Sequence, residues 1–155
     1  MKSTLASIQK AVADRLVYAG SLRGIPVLQH TTDIADMLAE ASKATKDLWI
    51  LVEGPTASKA DSSGSTPTFT QLDIAVYIYE ATLGSNRSRP AIAVAENVLR
   101  ALYHWTPGVS GVLSALQMAN SDAIVRDTSR RKQGYNIIQV NMQLETNLPQ
   151  WPDLG

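Results

Sequence analysis

Apolar side chains follow two rhythms along this chain, and the switches between them outline its elements. Between Thr4 and Ala19, Leu5, Ile8, Val12 and Leu16 recur three and four residues apart, with Lys10, Asp14 and Arg15 on other faces. That spacing predicts an amphipathic helix. Gly20 and Gly24 end it, and Ile25-Pro26-Val27-Leu28 reads as a short strand or edge segment, because proline cannot donate to a ladder. A second helix is predicted over Asp33 to Thr45, with Thr32 as N-cap and Ile34, Met37, Leu38 and Ala41 as its buried stripe.

The rhythm then changes to that of strands. Leu48-Trp49-Ile50-Leu51-Val52 is a continuous apolar run closed by Glu53-Gly54-Pro55, which predicts a strand covered on both faces and central in its sheet. Thr56 to Pro67 is rich in serine and glycine with hardly an apolar side chain, and is expected to be a mobile loop, since it cannot offset its own ordering entropy. From Thr68 to Thr82, Leu72, Ile74, Val76 and Ile78 point one way, while Gln71, Asp73, Ala75, Tyr77 and Tyr79 point the other. This strand is about twice the usual five or six residues.

Gly84 to Arg89 is a basic, turn-rich link, and Pro90 opens a third helix running to about His104, with Ile92, Ala95, Val98, Leu99, Leu102 and Tyr103 as its stripe. Leu113 to Met118 and Asp122 to Thr128 follow as two weaker strands joined by Ala119-Asn120-Ser121. The second long strand is Tyr135 to Thr146, with Ile138, Val140, Met142 and Leu144 inward and Ile137, Gln139, Asn141 and Gln143 outward. Pro149, Trp151 and Pro152 mark an extended tail. The order predicts one α+β domain over residues 1–148, with a mixed, largely antiparallel sheet of about four to five strands and about three helices, followed by a tail over 149–155.

Composition narrows the classes. At 155 residues, 45% hydrophobic and 18% charged, the chain is long enough to bury an adequate core. Lys plus Arg and Asp plus Glu both count 14, so no global field steers it toward nucleic acid or an anionic membrane, and neutrality is permissive of self-association. With no cysteine there are no disulfides, thiol nucleophiles or cysteine-based metal centres. Lys10, Asp14 and Arg15 break every apolar run near the start, so neither a signal peptide nor a spanning helix is expected there; the protein is expected to be made and kept in the cytoplasm, or to leave it by lysis.

Catalytic chemistry has little to stand on. His30 and His104 lie in different elements without metal-binding spacing, and neither a phosphate loop nor a dinucleotide fingerprint is present. Gly108-Val109-Ser110-Gly111 has the wrong spacing for a nucleophile elbow. Asp73 and Glu80, seven apart on one strand, face opposite sides roughly 23 Å apart. No catalytic residue, cofactor or metal is expected, and the chain is read as a non-enzyme; His30, His104 and an acid meeting in one pocket would reverse that.

Contact residues are easier to find. Tyr77 and Tyr79, at i and i+2, suit an interface if their face is open and are ordinary core if a helix covers it. Gln139, Asn141 and Gln143 form an uncharged polar face that is poorly guarded against pairing. Arg126, Arg130, Arg131 and Lys132 make a basic tip, suited to phosphate or an acidic partner, or else a solvated turn.

Over Thr4 to Leu148 the element order resembles that of phage tail terminator or tail-completion proteins: an opening helix, a proline-containing strand, a second helix, an apolar strand ending Glu53-Gly54-Pro55, a Ser/Gly loop, a long alternating strand, a helix at Arg89-Pro90 and the final strand Gly134-Tyr135-Asn136-Ile137-Ile138-Gln139-Val140. The resemblance implies a ring, commonly a hexamer, that caps the tail tube, ends its polymerisation and meets the head connector. It also implies a place in the virion and helices packed mainly on one sheet face, with Thr56 to Pro67 and Arg126 to Lys132 as segments that such a role would use. Alternatives are a head–tail connector, a neck or baseplate subunit, or a small nucleic-acid-binding module.

Overall fold

The computed structural model describes residues 4–30, 48–64, 67–81, 90–119, 122–126 and 135–149. Within them α1 (Thr4–Tyr18) and α2 (Ala91–Leu102) accompany seven strands: β1 (Val27–Gln29), β2 (Leu48–Val52), β3 (Thr56–Asp61), β4 (Thr68–Ala81), β5 (Gln117–Met118), β6 (Ile124–Arg126) and β7 (Tyr135–Pro149). The class is α+β with a mixed sheet, larger than the four to five strands expected. The two described helices are fewer than three because the helix expected over 33–45 lies outside the described residues.

β4 and β7 form the spine, antiparallel from Thr68↔Pro149 to Ala81↔Tyr135, interrupted by a single shift between Phe69 and Gln71. At that shift Thr146, buried, donates its hydroxyl to the Phe69 carbonyl at 2.9 Å. The final strand runs to Pro149, longer than the expected end at Thr146, because its ladder with β4 continues to the Thr68↔Pro149 pair; the rest of the expected tail, residues 150–155, lies outside the described residues. β2 pairs antiparallel with one half of β4 and β3 with the other, and the Glu53 N–H to Ala75 carbonyl bond bridges the gap at 3.1 Å. β1 pairs parallel with β2 at the sheet edge, as its proline foretold.

Residues 56–61, expected in a loop, are thus a strand. Composition argued against burial, and every residue of β3 is indeed exposed. What holds them is the adjoining backbone: β2 leads the chain onto the open flank of β4, where ladder hydrogen bonds form without any buried side chain.

The two weaker strands expected over Leu113 to Met118 and Asp122 to Thr128 are shorter among the described residues, as β5 and β6. β5 and β6 do not pair with each other; both lie along the outer flank of β7, Gln117 opposite Gln143 and Ile124 opposite Val140. Asn141 of β7 joins both segments, its N–H bonding the Ala123 carbonyl while its carbonyl accepts from the Ala119 N–H.

One sheet face carries Leu72, Ile74, Val76, Ile78, Ile138, Val140, Met142 and Leu144, as strand parity required, packed against Ile8, Val12 and Leu16 of α1 and Val94, Ala95, Val98 and Leu102 of α2. α2 is turned relative to its expected stripe: Ala91 and Val94 are buried while Ile92 and Tyr103 are exposed. Glu80 fixes its start, the carboxylate accepting the Ala91 N–H at 2.9 Å from a buried position. Pro90 takes the N-cap place rather than the first helical one, so the carboxylate of a strand supplies the cap that proline cannot.

Candidate interaction surface

The opposite sheet face is apolar at one end and polar at the other. Trp49, Leu51, Tyr79 and Ile137 form a second buried cluster with Leu28 and Tyr77 packed against it. Trp49 and Tyr79 stack with ring centroids 4.0 Å apart and planes within 7°. Tyr79, a candidate contact residue on its sequence position, is fully buried and is core. Alternation places it on the non-helical face, yet Trp49 and Leu51 on the neighbouring β2 give it an apolar partner that single-strand parity cannot show.

Tyr77 sits where the character changes. It is half-buried and lines a cleft of about 420 Å³ with Glu53, Gly54, Thr56, Asp73, Ala75, Gln139 and Asn141. The fold thus brings Tyr77, Gln139 and Asn141 together. The two amides are already committed: Gln139 Nε2 donates to Asn141 Oδ1 at 2.7 Å, and Asn141 Nδ2 donates to the Asp122 carbonyl at 2.8 Å. They tie β7 to the Asp122 carbonyl and line one side of the cleft. Gln143, farther along, accepts from Gln71 Nε2 at 3.3 Å beside a smaller recess of about 150 Å³ with Ser114, Gln117 and Glu145.

Arg126 is exposed at the end of β6, while Arg130, Arg131 and Lys132 lie outside the described residues. Two acids absent from the expected contact residues, Glu53 and Asp73, border the cleft. The signal for Glu53 was available: it continues the Trp49, Leu51 phase of β2 past the end of the strand.

Glu53 is held from behind. Its Oε2 lies 2.5 Å from His30 Nδ1, linking the ends of β1 and β2. Gln9, buried on α1, donates Nε2 to the His30 carbonyl at 2.9 Å and the Val52 carbonyl at 3.0 Å, so one amide ties the helix to both strands. His104 is placed differently, against the Tyr103 ring with its N–H on the Leu116 carbonyl. His30 therefore meets one acid of the cleft without His104. Among the described residues no three His, Cys, Asp or Glu side chains group to hold a metal ion, and no helix is long and apolar enough to cross a membrane.

Chemically this surface offers hydrogen-bond acceptors and aromatic area on a rigid sheet, suited to holding another polar surface. No protein-family model matches the chain, and no curated protein matches it.

Proposed function

We propose that this chain is a structural assembly subunit of a phage particle, a tail terminator that caps the tail tube, ends its polymerisation and forms the joining surface to the head connector. Its partners on this reading are copies of itself in a ring, taken as a hexamer, the tube protein and the connector; it has no catalytic role, and it resides in the virion. The observation that carries the assembly reading is β3: six consecutive exposed residues in a strand whose register with β4 shifts on either side of Lys59, paired on one flank by β4 and, among the described residues, by nothing on the other. An unpaired strand flank is a template for another chain. The phage setting rests on the order of elements: helix, edge strand, apolar strand, long spine strand, helix and final long strand follow one another as in tail terminators.

Light scattering coupled to size exclusion, followed by negative-stain imaging with tail tubes, tests this. Rings, or density capping tube ends, are the expected result; a monomer that ignores tubes at high concentration overturns it. Deleting the gene gives a second arm. Overlong tails mark a terminator, whereas normal tails without heads transfer the role to a connector.

A further inference from the structure

We infer that two copies of this chain join edge to edge through β3, antiparallel, about a two-fold axis at Ala60 that stands perpendicular to the sheet. This goes beyond the assembly reading, since it concerns the free chain and names a second copy as the occupant of the edge that reading leaves open.

Three observations carry it. First, the flank is accessible where a second copy fits. Every residue of β3 is exposed, and among the described residues no strand pairs with its outer side. β1 lies one strand farther out on that side of the sheet, but it ends at Gln29, opposite Val52, before β3 begins at Thr56. Pairing centred on Ala60 sets the second copy's β3 opposite residues 59–64, at the end of β3 away from β1, and its residues 62–64 opposite 56–58. Symmetry places the second copy's β1 beyond Gly64, so neither β1 meets a described strand of the other copy. The two-fold is the commonest way for identical subunits to associate, and it continues the β4–β3 alternation across the junction.

Second, the strand is continuous at the axis. The register shift between Ala57 and Lys59 leaves Ser58 as the extra residue on β3, whereas the shift between Lys59 and Ala60 leaves Thr70 extra on β4. Lys59, Ala60 and Asp61 therefore follow one another without an insertion, and alternation puts Lys59 and Asp61 on one face.

Third, the charges complement each other. This centre sets Lys59 of each copy opposite Asp61 of the other, with Ala60 opposite Ala60 between the two pairs. Moving the axis by one residue, to Lys59 or to Asp61, sets like charges opposite each other. A lysine on an edge ordinarily guards against pairing; here it selects one register. The Ser63 N–H and hydroxyl both bond Asp61 Oδ1, which leaves Oδ2 for the lysine.

Cross-linking reads the axis directly, because the chain has no cysteine. With Ala60→Cys the two thiols face each other across about 4.5–5.5 Å between Cα atoms, within disulfide reach, so oxidised glutathione should give a covalent dimer on a non-reducing gel. With Ala57→Cys each lies opposite residue 63 of the other copy, roughly 20 Å from its counterpart, and should not link. In equilibrium sedimentation, Lys59→Glu and Asp61→Lys should each raise the dimer dissociation constant roughly tenfold, as two attractive pairs become repulsive, and the double variant should recover it. These side chains are exposed, and unchanged circular dichroism and melting confirm that each variant is folded. Equal cross-linking at both positions, none with Ala60→Cys, single reversals without effect or a double variant that fails to recover overturns the pairing. A dimer that leaves tail tubes uncapped supports the pairing and overturns the terminator reading, whereas a monomer that caps them does the reverse.

Discussion

Replacing Gln9 by leucine isolates the contribution of one amide to joining the helical layer to the sheet. Leucine fills nearly the same volume at this buried site on α1 but cannot donate. Two hydrogen bonds are lost, to the His30 and Val52 carbonyls. The losses are unequal. The Val52 carbonyl keeps the His30 N–H at 3.0 Å, so it is not stranded, and the bond to the His30 carbonyl is only partly buried. A fully stranded pair of buried acceptors costs about 1–3 kcal/mol each, whereas a hydrogen bond with a remaining partner is worth about 1 kcal/mol net. The expected destabilisation is therefore about 1–2 kcal/mol, seen in urea as a lower midpoint at unchanged slope. In a scan it lowers Tm by about 3–8 °C. Amide exchange at His30 should accelerate along with it, since the β1–β2 junction loses its clamp. A midpoint unchanged within about 0.3 kcal/mol, or a stabilised variant, refutes the assignment of Gln9 as the tie.

Three further outcomes follow from the fold. Tyr79→Ala should destabilise by about 3–5 kcal/mol, because it removes a fully buried ring stacked on Trp49, and Trp49 fluorescence should shift on the substitution; Tyr77→Ala, on the cleft rim, should lose less. Gly111→Ala should lose about 1–3 kcal/mol in the same urea assay, since φ is +91° there and a methyl would press on the Leu148 side chain and lie 3.0 Å from the Asn147 carbonyl. The Asp61 carboxyl is held below its ordinary value by the Ser63 hydroxyl and then the Ser63 N–H, so whatever stability it lends the β3–β4 turn is present above the ordinary carboxylate range and is lost as pH falls through the lowered folded value. Carboxyl carbon NMR should show this lowered titration, and Ser63→Ala should move it back up.

Hydrophobic rhythm determined much of this protein by itself. The period of Leu5, Ile8, Val12 and Leu16 specifies α1, and the alternation of Leu72 to Ile78 and of Ile138 to Leu144 specifies both spine strands and the face each turns to the helices. These are local consequences of side-chain direction, which sequence spacing encodes directly. The feature that escaped it is lateral. Residues 56–61 have no apolar signal, and they become a strand because β4 offers them a flank of unpaired backbone. Tyr79 belongs to the core because Trp49 lies beside it, and Gln139 and Asn141 are spoken for because the Asp122 carbonyl on the neighbouring segment accepts from Asn141, whose Oδ1 in turn accepts from Gln139. Backbone hydrogen bonding and cross-strand contact depend on which strand is neighbour to which, and only the tertiary structure fixes that. The cleft follows the same logic, since Glu53 just beyond β2, Asp73 on β4 and Gln139 on β7 meet only through register.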